Sequence, residues 1–306
     1  MEPPEEVLLT LLSVALFVLA PFLGMLAMGL GRRISARMQN RVGPPVLQPW
    51  YDVAKLMTKS DQSTNPVTGT MAFLFFIFNA LAVVVLVTLG DLLMVIVLMG
   101  TAQLFLSLAG YAGSSPNSHL GASRNLLQVL SVEPLMLALA VAALLVNGSY
   151  FVRELAWSNE LLLHFPMAPV VLFFALLVWM QKGPFDLSTA HQEIVYGPMI
   201  ELSGKNLALV EIGHWFETFG LLAIFSLMFN SAPLLAPLLG STGAVVLDLV
   251  LKTLVAFIVL IAVIWVDNAT TRSHWDRLPR FSFTFLWPLV FINILFIYSA
   301  LVWGWW

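Results

Sequence analysis

The sequence predicts an all-α polytopic membrane protein with eight transmembrane helices and amphipathic helices in its cytoplasmic loops. Three observations carry that prediction. Of 306 residues, 59% are hydrophobic and only 10% charged, against about 45–50% and about 25% in soluble domains. The mean hydropathy is +0.91. Apolar runs recur along the whole length, each close to the roughly 20 helical residues that cross a bilayer core. A formal net charge of −3 gives a nucleic-acid partner no electrostatic support. The absence of cysteine excludes disulfides, thiolate-held zinc, iron–sulfur clusters and thiol nucleophiles on this chain. Residues 1–306 read as a single integral membrane domain.

The first span is Val7–Gly31, uncharged throughout. It is too long for a cleavable signal peptide, and Glu2, Glu5 and Glu6 stand where basic residues belong. Met71–Leu89 is the second span; the turn at Gly90-Asp91 returns the chain as the third, Leu92–Gly113. Asn125–Asn147 is the fourth. Pro169–Met180 is the core of a fifth, entered from about His164. The sixth is Asn206–Met228, the seventh Val245–Asp267 and the eighth Phe283–Trp303.

An even number of spans puts both termini on one side, and the loop charges decide which. Twelve of the fourteen Lys and Arg lie in the loops after spans one, three, five and seven. The opposite loops hold only Arg153, and Lys252 is inside a span. The positive-inside rule places the basic loops in the cytoplasm and both termini outside, with Trp303, Trp305 and Trp306 in an outer interfacial belt. The cytoplasmic loops, about 32–70, 114–124, 183–205 and 268–282, are not mere linkers: they are rich in polar residues and carry most of the motif-like sequence. Within the first, Trp50–Met57 has the pattern of an interfacial amphipathic helix.

Ionisable groups inside a span cost several kcal/mol unless paired or hydrated, so each is a functional candidate. Glu133 sits in span four and is followed by Pro134, which frees a backbone carbonyl. Span six carries Glu211, His214 and Glu217 at i, i+3 and i+6, neighbours on one slowly turning face. On span seven Asp248 and Lys252, at i and i+4, can neutralise one another as a structural pair. Asp267, at a helix end, is interfacial.

The richest segment is Lys182–Lys205. Asp186 precedes a helix-friendly run and is placed to cap it. Asp186, Glu193 and Glu201 fall within sixteen residues, with His191 among them. Carboxylates crowded beside a low-dielectric region have raised, coupled pKa values and can hold and pass a proton near neutral pH. Two ligands at His191 and Glu193 without a third make a poor metal site, and none is assigned. No nucleophile-elbow serine, phosphate loop or dinucleotide fingerprint is present.

Several segments together resemble one family. They are Arg37-Met38-Gln39-Asn40-Arg41-Val42-Gly43-Pro44, Gly121-Ala122-Ser123-Arg124, Glu133-Pro134, Gly183-Pro184-Phe185-Asp186-Leu187, and Glu201 with Ser203-Gly204. The family is the eight-helix subunit shared by respiratory complex I (subunit 1, the H subunit in bacteria) and the membrane-bound group 4 nickel–iron hydrogenases. The resemblance implies a subunit that anchors a peripheral electron-transfer arm and conducts ions or charge along carboxylates. The His191-Gln192-Glu193, Gly197-Pro198 and Glu211-Ile212-Gly213-His214-Trp215 patterns look more like the hydrogenase branch. Leu202 departs from the family's Glu-Tyr-Ser-Gly and removes a phenol expected in the inner cavity.

By that resemblance the chain is a membrane anchor and ion-path subunit of a multisubunit nickel–iron hydrogenase in the cytoplasmic membrane of a prokaryote. It carries no catalytic centre or cofactor; the nickel–iron site and iron–sulfur clusters are expected on partner subunits. Those partners are the hydrogenase large and small subunits, an iron–sulfur subunit and antiporter-like membrane subunits, within the lipid bilayer. Glu133, Asp186, Glu193, Glu201, Glu211, His214 and Glu217 are the expected ion path. Arg37, Arg41, Arg124 and His191 are the expected docking and cavity residues. Two alternatives stand beside this reading: a quinone-chamber subunit of a complex I-type enzyme, and a free-standing ion transporter.

Overall fold

The computed structural model describes residues 3–62, 65–155, 166–229 and 232–303. Twelve helices are found among them: α1 Pro3–Met38, α2 Gln48–Met57, α3 Pro66–Val87, α4 Leu92–Ala112, α5 Pro116–Asn147, α6 Val152–Leu155, α7 Ala168–Trp179, α8 His191–Ile194, α9 Gly204–Leu227, α10 Ala232–Ala269, α11 Arg277–Phe281 and α12 Trp287–Trp303. A 3-10 turn, Gly197–Met199, follows α8, and one π-helical stretch, Ser282–Leu286, joins α11 to α12. The all-helical, multi-pass architecture expected from the sequence is what is observed.

Seven helical stretches among the described residues are long and apolar enough to cross a membrane. Among the described residues the expected eighth is not confirmed. In the place of the fifth span stands α7, apolar but only 12 residues long. At ~1.5 Å per residue it spans about 18 Å, short of a hydrocarbon core of about 30 Å. Pro169 fixes its first turn, and Gln181 in the left-handed region (φ 51°) ends it. His164 and Asn159, on the approach to this span, lie outside the described residues, as do Trp305 and Trp306 of the expected belt.

Boundaries elsewhere shift for identifiable reasons. Asn65 accepts a hydrogen bond from the Val67 amide and Pro66 occupies the first turn, so α3 starts before its apolar run. Asp91 caps α4 in the same manner, and the turn at Gly90 is pinned by amide–carbonyl bonds to Tyr150 and Val152. The fourth span begins at Pro116 rather than Asn125. Arg124 interrupts the apolar run but gives the helix no reason to stop, so most of the expected loop 114–124 is helix. Gly148, left-handed at φ 70°, terminates it.

The core is organised around α9, which packs against α1, α2, α3, α7 and α10; α4 lies between α3 and α5. Outward faces of α10 and α12 present Leu249, Val250, Phe257, Ile258, Phe291 and Leu295, the composition of a surface facing lipid or another span. Helix α2 is amphipathic as expected: Pro49 and Val53 are buried, while Trp50 and Tyr51 are exposed.

Candidate functional site

A cavity of about 560 Å³ opens between α1, α7, α9, α10 and the loop that follows α7. Its lining includes Arg41, Asp186, His191, Glu211, His214 and Glu217. Six of the eleven candidate residues are thus brought to one chamber. Glu133, Glu193, Glu201, Arg37 and Arg124 do not line it.

Helix α9 supplies the deep end. Glu217 is 2% exposed, and its Oε2 meets His214 Nδ1 at 2.9 Å. Its Oε1 accepts from Gln103 Nε2 of α4 at 2.5 Å. The i, i+3 spacing read from the sequence therefore forms a direct pair. His214 Nε2 has no hydrogen-bond partner among the described residues and lies beside the Phe75 ring. Nearer the loop, Glu211 accepts from the Tyr196 hydroxyl at 3.1 Å. Burial, and then the Glu211 carboxylate beside it, pushes the Tyr196 phenol above its ordinary range, so it remains a donor. Tyr196 also packs on the His191 ring. A phenol is present in this chamber after all, but Tyr196 carries it; Leu202 is buried in an apolar cluster with Phe75 and Met199.

The three loop carboxylates part company, contrary to the expected cluster. Asp186 does not cap a helix: the turn at α8 has no side-chain cap. Instead its Oδ2 pairs with Arg272 at 2.7 Å and its Oδ1 accepts from Thr189 at 2.8 Å. Glu193 pairs with Arg124 at 2.6 Å. That guanidinium holds the Glu193 carboxyl below the usual carboxylate range, the opposite of the expected raised value. Glu201 turns to the start of α5, where it accepts from the Ser115 amide and from Ser114 Oγ. It serves there as a helix cap, since Ser115 makes no cap bond of its own.

Glu133 is half-buried and makes no hydrogen bond to a described residue. It presses against α4 so closely that a Cβ on Gly100 would lie 2.2 Å from its Oε1. Gly100 is one turn from Gln103, so Glu133 and Glu217 approach α4 about 4.5 Å apart along its axis. Arg37 is exposed, and Arg41 stands at the chamber wall. Asp267 is more than interfacial: it accepts from the Gly183 amide at 2.7 Å and approaches Lys182 at 4.0 Å, fastening the loop to α10. Asp248 and Lys252 pair at 2.7 Å, as their spacing implies. Among the described residues no group of three or more His, Cys, Asp or Glu could hold a metal ion.

Sequence reasoning missed Gln103, Asn125, Gln181, Thr189 and Tyr196. For Gln103 and Asn125 the available signal was a neutral amide inside an otherwise apolar span, which must find partners there; Gln181, Thr189 and Tyr196, in or beside the loop, carried no such signal. Glu193 also supports a pH prediction. Its depressed value means that the Arg124 pair contributes above the unfolded-state pKa and is lost as pH falls through the lower folded-state value. Half exposed, the pair is screened by solvent and worth about 0–1 kcal/mol. Thermal unfolding of Glu193→Gln should therefore differ slightly from wild type at pH 7, with the difference vanishing in strong acid and in molar salt. A difference that grows as pH falls contradicts the assignment.

Fold and site together define a multi-pass helical membrane protein with an ionisable chamber enclosed by its spans and one loop. A family model described as NADH dehydrogenase matches residues 10–298. Formate hydrogenlyase subunit 4 of Escherichia coli (strain K12) is 30% identical, with 92% of this chain and 96% of that protein covered. Hydrogenase-4 component C of the same organism is 29% identical over 71% of this chain and 73% of that one. The H subunit of NADH-quinone oxidoreductase from Syntrophotalea carbinolica is 28% identical over 89% of each. A chain in the structure of the membrane-bound sulfane sulfur reductase, an archaeal respiratory membrane complex, superposes with a TM-score of 0.82 at 24% identity, covering 94% of this chain and 99% of that one. The chain belongs to the NADH dehydrogenase subunit 1/H family, which includes formate hydrogenlyase subunit 4 and hydrogenase-4 component C. It is a membrane subunit of the complex I and membrane-bound hydrogenase type.

Proposed function

We propose that this chain is the anchor and ion-path subunit of a membrane-bound nickel–iron hydrogenase, coupling redox turnover in a docked arm to H⁺ or Na⁺ translocation. The observation that carries the reading is the chamber, where Asp186 of the loop, Glu211, His214 and Glu217 meet between the loop and the interior of α9. The likeness to formate hydrogenlyase subunit 4 favours the hydrogenase branch. The chain does no redox chemistry itself. A unit charge brought to ~4 Å from a chamber carboxylate, at an effective dielectric near 20, changes its energy by about 4 kcal/mol. That is roughly a thousandfold in an ionisation equilibrium. Glu193 and Glu201 frame the loop, and Glu133 continues the path along α4. The basic loops, with Arg37, Arg41 and Arg124, dock the large, small and iron–sulfur subunits; antiporter-like subunits lie alongside in the membrane.

The test is co-purification from native membranes with identification of the partner chains, followed by ion uptake into vesicles during turnover. Isolation of this chain alone, or uptake independent of turnover, overturns the reading. The chamber volume, within the range of about 300–1,000 Å³ typical of small-molecule sites, favours a second reading as a quinone chamber. Stoichiometric quinone in the purified complex selects that reading.

With α7 and its approach counted as a crossing, the topology follows from loop charge. Reporter fusions in the Thr58–Gln62 stretch are expected to read cytoplasmic, and fusions near Asn159 or at Trp306 external. A cytoplasmic C-terminus defeats the orientation.

A further inference from the structure

A line of hydrogen bonds runs from the loop to the buried end of the chamber. Thr189 Oγ1 lies 3.2 Å from Gln181 Oε1. Gln181 Nε2 donates to Asn125 Oδ1 at 3.3 Å. Asn125 Nδ2 donates to Gln103 Oε1 at 3.2 Å, and Gln103 Nε2 to Glu217 Oε1 at 2.5 Å. Gln103 and Asn125 are each 2% exposed.

The polarity of this line is forced from its end. An ionised Glu217 only accepts, so Gln103 must present its nitrogen to it. Asn125 Nδ2 faces Ser107 Oγ at 2.9 Å and the Gln103 backbone oxygen at 3.1 Å as well as Gln103 Oε1, and its two N–H bonds are shared among these three acceptors; they fix its orientation, and its oxygen fixes Gln181 in turn. Three amides are thereby aligned head to tail, each with its N–H end toward Glu217. The far end is where the choice lies. Thr189 has one hydroxyl proton and two acceptors in reach, Asp186 Oδ1 at 2.8 Å and Gln181 Oε1 at 3.2 Å. While Asp186 is an ionised partner of Arg272, the hydroxyl turns to Asp186. Once Asp186 is protonated or drawn away, the same hydroxyl turns to Gln181 and completes the line.

We propose that the Thr189 hydroxyl is a two-position switch that reports the charge state of the Asp186–Arg272 pair to Glu217 through the aligned amides of Gln181, Asn125 and Gln103. Only a rotation about the Thr189 Cβ–Oγ bond is involved; no covalent bond breaks. A polarised row of hydrogen bonds strengthens each member, so the bond received by Glu217 differs between the two positions. The inference rests on the ion-path reading above. In it Thr189, Gln181, Asn125 and Gln103 are positioning residues.

The test uses the intact complex in vesicles. It measures ions taken up per electron transferred, together with redox-induced infrared difference spectra. The Glu217 carboxylate band is assigned by its loss in Glu217→Gln. In Thr189→Val, which keeps shape and removes the hydroxyl, the uptake ratio should fall clearly below the wild-type value, because neither position of the switch remains. The Glu217 band should stop responding to turnover, and Thr189→Ser should restore both. Should Thr189→Val fail to assemble, Gln181→Met breaks the next link and carries the same expectation. A normal ratio and a responsive band in either variant, with Glu217→Gln defective, overturns the switch and leaves the ion path standing. A normal ratio in Glu217→Gln overturns the ion path and the switch with it.

Discussion

In Glu133→Gln and Glu201→Gln complexes, ion uptake coupled to turnover is expected to fall about tenfold or more, a barrier increase of only ~1.4 kcal/mol. Hydrogen evolution from an artificial donor should continue. Glutamine keeps the size and hydrogen-bonding capacity of each side chain and removes only its ionisation. At Glu201 this distinction is sharp: the glutamine carbonyl still accepts from the Ser115 amide, so the start of α5 stays capped. Glu201→Ala leaves that amide without its acceptor and costs about 0.5–2 kcal/mol, visible as a lower yield of assembled complex. At Glu133 the carboxylate sits against Gly100 with no hydrogen bond to a described residue, so nothing structural is lost with its charge. Vesicle pH or sodium uptake and viologen-linked hydrogen evolution are measured on one preparation. Uptake at the wild-type level in both variants rules out a relay through these carboxylates.

Gly197→Ala should break the loop itself. Gly197 is left-handed at φ 53°, and a Cβ there would lie 1.8 Å from the Ser188 carbonyl oxygen. The left-handed conformation alone costs an alanine about 1–2 kcal/mol. Relieving the overlap displaces Ser188, and with it Thr189. The turn also sits directly on α5, where a Cβ on Gly121 would lie 2.4 Å from the Gly197 Cα. We expect a total loss of about 3 kcal/mol or more, read as a much lower yield of assembled complex and a lower Tm. Gly148→Ala is the control: it is equally left-handed at φ 70° but has nothing within 4 Å, so only the conformational cost of about 1–2 kcal/mol applies. Equal effects at the two sites contradict the packing account.

The bilayer imposes so few solutions that most of the fold was readable from hydropathy. Seven of the expected spans and the amphipathic α2 were found this way; local spacing likewise put His214 and Glu217 on one face and paired Asp248 with Lys252. What could not be read was tertiary. Asp186 and Glu193 are close in sequence but are claimed by guanidiniums from different elements, Arg272 86 residues away and Arg124 69 residues away. Once paired separately they no longer interact as a crowd. Gln103 and Asn125 were passed over because the search of the spans was for ionisable groups and amides carry no charge, although burial obliges them to pair. The apolar run of α7 reads in the sequence as Pro169–Met180, within a residue of its observed bounds, and its expected entry from about His164 lies outside the described residues.

The three amides between Thr189 and Glu217 bear on the electrical work of turnover. Carrying an elementary charge through the membrane potential takes about 2.3 kcal/mol per 100 mV. Amides carry no net charge and do not ordinarily take up a proton. Under the proposed switch, what passes along Gln181, Asn125 and Gln103 is polarisation alone, on which a transmembrane voltage does almost no work. A signal sent this way should reach Glu217 equally well in an energised and a de-energised membrane. On the proposed ion path, back-pressure from the voltage should then fall on the ions that move and not on the signal.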